Sequence, residues 1–129
     1  MSSIDRRGVL AAGVGLAAMQ ASSARAAQTV KVRIPAAETA YRPAEVKIKV
    51  GDTVEWENRS IVIHTVTCDP AKVKNKANVN LPAGAAAFDS GEMQQDQLFT
   101  HTFTAPGTYK YFCTGHEEMG MIATVVVTR

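Results

Sequence analysis

Cysteine is scarce in this chain, with Cys68 and Cys113 the two examples in 129 residues. A fold stapled by several disulfides is therefore excluded, since two thiols make one bridge at most. Charge of one sign is lacking too: 14 basic residues face 12 acidic ones, a formal net charge of +2. So small an excess, with no Lys/Arg stripe interleaved with aromatics, excludes an evident nucleic-acid-binding surface. There is no G-x-S-x-G, no phosphate loop and no carboxylate pair with a pocket to hold it, so the chain is not read as an enzyme. The apolar run Gly8–Met19 falls well short of the roughly 20 residues that span a bilayer, and no stable membrane insertion is expected.

That run belongs to a leader. Residues 1–26 open with Arg6-Arg7, continue through Gly/Ala-rich apolar residues and end in Ala24-Arg25-Ala26. This is the layout of a secretory signal with a small-residue cleavage site. The paired arginines read as the twin-arginine type. Removal of 1–26 takes three of the 14 basic residues and one of the 12 acidic, leaving 11 of each. The expected organisation is an export signal over 1–26 and one domain over 27–129. The expected location is the periplasm, with a thylakoid lumen as the second option.

The domain reads as all-β. Residues 28–34 and 44–50 alternate apolar and polar positions, and Gly51-Asp52 is a turn. Strands are predicted at 53–58, 60–67, 98–104, 108–113 and 121–128, with a short one inside 86–91. Residues 68–97 are otherwise irregular, and no stretch has a helical period. Seven or eight short strands in about a hundred residues predict a two-sheet antiparallel Greek-key β-sandwich. Trp56 is expected in its core.

Four residues stand out: His64, Cys113, His116 and Met121. Cys113 ends a strand, His116 follows three residues later in a Gly-containing loop, and Met121 five residues after that. Such a loop can turn all three side chains toward one point, and the strand bearing His64 can lie beside it. A thiolate, two imidazoles and a weak thioether make the trigonal His₂Cys copper site with a long axial Met. No open position is left for a substrate, so electron transfer fits better than catalysis. Two other readings use the same residues. A Cys68–Cys113 disulfide would make a metal-free interaction module. His64, Cys68, Cys113 and His116 would make a Cys₂His₂ zinc site.

The motif C-x2-H-x4-M, with His64 upstream and the segments FDSG (88–91), HTF (101–103) and PGTYKYFC (106–113), resembles the cupredoxins of the plastocyanin, pseudoazurin and amicyanin group. The resemblance covers residues 28–129. It implies one type 1 copper held by His64, Cys113, His116 and Met121, and a soluble, monomeric carrier of single electrons. Its implied partners are transient redox proteins: a c-type cytochrome, a dehydrogenase, a reductase or a photosynthetic complex. A copper-binding or storage protein without electron transfer is the alternative.

Departures from the group's pattern set further expectations. An amicyanin-like loop would choose Met119. Met121 is preferred because MIATVVV then aligns with the strand following the ligand in plastocyanins. Gly115 replaces a common proline, and its N–H is expected to reach the Cys113 sulfur. Thr65 replaces a common asparagine, and its hydroxyl is expected to tie the ligand loops together. Glu117 and Glu118 are expected as carboxylates beside an exposed His116 edge. Lys72, Lys74 and Lys76 form a small basic patch. His101 is read as a packed or solvent-facing histidine, and Met93 as a surface or gap-filling residue.

Overall fold

A computed structural model describes residues 25–129; the export signal expected over 1–26, apart from Arg25 and Ala26, lies outside the described residues. Eight strands follow in chain order: β1 (Thr29–Ile34), β2 (Glu45–Lys49), β3 (Thr53–Asn58), β4 (Thr67–Cys68), β5 (Phe88–Asp89), β6 (Leu98–Thr102), β7 (Gly107–Phe112) and β8 (Ile122–Thr128). They form a sheet of order β1-β3-β6 and a second of order β2-β8-β7-β4-β5.

The period-two pattern places the core between the sheets. Val32 and Ile34 of β1, Val54 and Trp56 of β3, Val46 and Ile48 of β2, and Ala123, Val125 and Val127 of β8 are all buried. Their alternate neighbours face outward, where Lys31 and Arg33 approach Glu55 and Glu57 across the β1–β3 pair. Trp56 is fully buried, as expected, and its indole N–H donates to the Tyr111 hydroxyl at 3.0 Å. Tyr111 meets Trp56 and Tyr41 edge-on, with ring centroids 5.4 and 4.7 Å away. Burying these rings removes apolar surface from water at about 25 cal/mol per Å².

The sandwich is as expected, but its sheets are mixed. β1 pairs with β3 in parallel, and β2 pairs with β8 in parallel. The reason lies in the crossing between layers. The chain leaves β1, crosses to the other sheet as β2, and returns as β3 beside β1 with its direction restored. Parallel neighbours need such a crossover, and here a strand supplies it.

The strand predicted over 60–67 is not one strand. Residues 61–63 are exposed, residues 64–68 are all buried, and only Thr67–Cys68 join a ladder, as β4. The Asn58 side chain sets the bend: its amide donates to the carbonyls of Val62 (3.0 Å) and Met93 (2.9 Å), and its oxygen accepts from Ser60 N–H (2.9 Å). The outcome is a loop that ends by presenting His64 at one end of the sandwich.

Candidate metal centre

His64 is held from both sides. Its N–H donates to the Met93 carbonyl at 3.2 Å, and Met93 returns a bond to the His64 carbonyl at 2.8 Å. Two residues on, the Val66 N–H donates to the Ser90 hydroxyl at 2.8 Å. The FDSG stretch and Met93 thus clamp the segment that carries His64. Met93 is itself buried, so of its two expected roles, surface or gap-filling, it takes the second.

Cys113 follows β7 directly and is tied to the start of β8, its N–H donating to the Met121 carbonyl at 3.2 Å. Between them the chain makes a tight arc. The His116 N–H donates to the Cys113 carbonyl (3.2 Å), and the N–H groups of Met119 and Met121 return to the His116 carbonyl (3.0 and 3.3 Å). Residues Glu117–Met119 form one 3₁₀ turn, which Gly120 ends at φ +83°. Glycine adopts this left-handed conformation without a side-chain clash.

The arc and the His64 loop meet. One ligand-type atom from each of His64, Cys113 and His116 lies within 4.8 Å of the other two. The Cys113 Sγ is 3.8 Å from His64 Nδ1 and 3.4 Å from His116 Nδ1. A single first-row ion with bonds of roughly 2.0–2.3 Å fits a triangle of that size. His64 and Cys113 are buried, whereas His116 is half-buried. Burial, and then the neighbouring His116 ring, hold the His64 imidazole below its ordinary pKa, which keeps its lone pair free for a metal. Met121 is fully buried, while Met119 is 66% exposed.

The link between the loops runs through Thr65. Its hydroxyl accepts the Thr114 N–H at 2.9 Å and pairs with the Thr67 hydroxyl at 2.8 Å. Its backbone N–H points at the Cys113 sulfur, 3.4 Å away. Threonine therefore joins the loops as expected. The backbone N–H that reaches the sulfur belongs to Thr65, however, and not to Gly115. The Tyr41 hydroxyl donates to the Thr65 carbonyl and seats this link on the aromatic core.

Glu117 also departs from expectation. It is buried, not a surface carboxylate. One oxygen accepts the Lys74 N–H, and the other accepts the Asn75 N–H and the Asn78 side-chain amide, each at 2.9 Å. Burial raises its carboxyl pKa, but those bonds outweigh burial and hold it below the ordinary value. Glu118 does face solvent, with the Lys74 ammonium 3.9 Å away. The basic patch is partly spent within the molecule: Lys72 pairs with Asp89, and Lys76 donates to the Pro70 carbonyl at 3.1 Å.

Cys68 stands outside the group. Both cysteines are free thiols, and the Cys68 sulfur lies 3.4 Å from the carbonyls of Asn80 and Lys110. Burial, aided by Asp69, pushes its thiol up to about 12, so it remains protonated. The disulfide and four-ligand zinc arrangements both lack their second sulfur. His101 stacks on Phe88 at 4.2 Å and does not belong to the group either.

Ile61, Val62 and Ile63 were read as strand, yet they are exposed immediately before His64, by 83%, 47% and 43%. Their composition mimics a buried strand, and no local signal separates the two cases.

A protein-family model of copper-binding proteins of the plastocyanin/azurin family matches residues 28–128. The chain is 33% identical over 117 residues to a chloroplastic plastocyanin of Tetradesmus obliquus, covering 91% of this chain and 78% of that protein. It is 37% identical over 86 residues to an amicyanin of Paracoccus denitrificans, covering 64% and 56% of the two chains. A solved structure of an oxidised amicyanin variant matches at a TM-score of 0.58 and 36% identity, over 83% of this chain and 87% of that one. A thiol and two imidazoles gathered at one end of such a sandwich are the donors copper prefers. The chain belongs to the plastocyanin/azurin family of copper-binding proteins, the cupredoxins, and copper is its cofactor.

Proposed function

We propose that the protein is a type 1 blue-copper electron carrier, with His64, Cys113 and His116 as the three strong ligands and Met121 as the weak axial one. The observation that carries this reading is the convergence of Cys113 Sγ and the two histidine Nδ1 atoms. The buried Met121, joined to Cys113 through the backbone, supports its choice over the exposed Met119. Copper, when bound, supplies a one-electron couple.

The chain's own residues do the rest. The His64 loop and the Cys113–Met121 arc hold the donors in one arrangement, and Thr65 locks the two together. Such fixed donors suit both oxidation states without rearrangement, which favours fast transfer. The low exposure of His64 and Cys113 excludes water, and the half-buried His116 offers a route outward. Ile61, Val62, Ile63 and Met119 form exposed apolar flanks beside the two histidines. Exposed apolar surface of this kind suits a transient protein partner. The partner is a redox protein such as a c-type cytochrome, dehydrogenase, reductase or photosynthetic complex, and the protein itself is not an enzyme. The domain spans 27–129, and the leader delivers it to the periplasm. Among the described residues no helix is long and apolar enough to cross a membrane.

The test is to add one equivalent of Cu(II) to residues 27–129 and record visible and EPR spectra, followed by voltammetry. An intense blue band, a narrow copper hyperfine splitting and a reversible couple are expected, with the band lost in Cys113→Ser. A colourless protein would overturn the reading. Tight Cu(I) binding without a reversible couple would instead favour copper storage.

A further inference from the structure

We infer that Glu117 is a positioning residue for the metal centre: its buried carboxylate clamps the His116–Met121 arc to the 74–78 segment. The inference rests on His116 and Met121 being ligands, as proposed above.

The arc is the least supported part of the centre. Residues 114–121 belong to no strand, whereas Cys113 follows β7 directly and Met121 leads into β8. Within the arc, the bonds from Met119 and Met121 to the His116 carbonyl keep it tight but do not anchor it to the sandwich. Thr65 anchors one side, through Thr114. The other side is anchored by Glu117, whose carboxylate meets three donors on a segment about forty residues earlier in the chain.

The partners are built to receive it. Lys74 and Asn75 offer consecutive backbone N–H groups, and Asn78 adds its side-chain amide. Asn75 also caps the 3₁₀ turn Lys76–Asn78, its side chain accepting the Ala77 N–H at 3.0 Å. That turn is joined to β7, where the Lys110 ammonium donates to the Ala77 carbonyl at 3.0 Å. A continuous path therefore runs from the sheet, through the turn and the carboxylate, to the residue after His116. Charge-assisted bonds of this kind are stronger than neutral ones. Groups that orient a ligand without touching the ion typically alter metal affinity by about 10–100-fold when lost.

Glu117→Gln is the direct test, because an amide nitrogen cannot accept and one side of the clamp must open. Asn78→Ala weakens the clamp from the partner side without touching the arc. Glu118→Gln, in an exposed neighbour, is the control. Two quantities are read in each variant: hydrogen exchange of the Lys74 and Asn75 amides in copper-free protein, and the rate of Cu(I) loss to a chelator alongside the EPR spectrum. Glu117→Gln is expected to speed both amide exchange and Cu(I) loss roughly tenfold or more and to broaden the hyperfine pattern. Asn78→Ala should do so more weakly, and Glu118→Gln should match the parent. Faster exchange with unchanged Cu(I) loss and spectrum in both clamp variants would overturn the inference and leave Glu117 a bracket for the loop alone. If Glu117→Gln fails to fold, the same two readouts in Asn78→Ala decide. A parent protein with no blue band overturns the ligand assignment itself, a result distinct from variants that simply match a blue parent.

Discussion

At the residue scale, side chains near the metal centre are distinguished by what they bond, more than by their distance from it. Thr65 lies beside His64 and connects three groups: Thr114, Thr67 and the Cys113 sulfur. Thr65→Val keeps the shape but leaves the Thr114 N–H without its acceptor. An unmet donor of this kind costs about 1–3 kcal/mol, so denaturant titration of the copper-free variant should show a loss in that range. Thr65→Ser, which retains the hydroxyl, should recover most of it. The two methionines test the axial position. Met121→Leu should change the EPR pattern and raise the potential, because hydrocarbon in place of a donor disfavours the more highly charged ion. Met119→Leu should leave both unchanged. Gly115→Ala belongs here as well: a Cβ at that position meets nothing within 4 Å. Since the N–H at the sulfur comes from Thr65, the potential of Gly115→Ala should equal that of the parent.

At the element scale, legibility followed the range of the interaction. Six strands were readable because alternation is local: every second residue of β1, β2, β3 and β8 faces the core or leads toward it. The proposed ligand set could be named from sequence because three of its members share one short loop, and of the four the structure gathers His64, Cys113 and His116. Residues 60–67 were misread because β-branched composition signals a strand, whereas the bend there is imposed by Asn58 bonding to Val62 and Met93. The parallel pairings were hidden because a strand's own pattern does not name its neighbour. Glu117 looked like a surface carboxylate because its partners lie 39 to 43 residues away. One turn shows how a single position governs an element. Gly107 opens β7 at φ +140°, and a Cβ there would lie 2.6 and 2.7 Å from the Pro82 ring. Both the backbone conformation and the rigid ring oppose any side chain. Gly107→Ala should cost at least about 1–3 kcal/mol by thermal denaturation, whereas the open space at Gly51 leaves only the backbone term for Gly51→Ala.

At the scale of the whole molecule, the sandwich separates its metal centre from a second polar junction. Asp52 precedes β3, while the loop leading to His64 leaves β3 at its other end, roughly 20 Å of strand away. Asp52 is buried, and its carboxylate accepts the N–H groups of Gln28 (2.9 Å) and Lys49 (3.0 Å) and pairs with Arg25. Those two backbone bonds, more than Arg25, hold its pKa below the ordinary value. The sign follows. A depressed folded pKa means the ionised form is favoured by folding, so the stabilisation is fully present above the unfolded value of about 3.9. It is lost as pH falls through the lower folded value. Asp52→Asn should therefore lower stability at neutral pH and flatten the acid limb of the stability curve below about pH 4. A protein that begins at Ala27 lacks Arg25 but keeps both backbone donors, so the effect should persist in residues 27–129. The copper spectrum should not move. Combined with Thr65→Val, the two losses should add to within about 0.5 kcal/mol, as separated sites without shared partners do. An altered EPR pattern in Asp52→Asn, or a clear departure from additivity, would mean that the sandwich transmits strain along β3 and that its two ends are not independent.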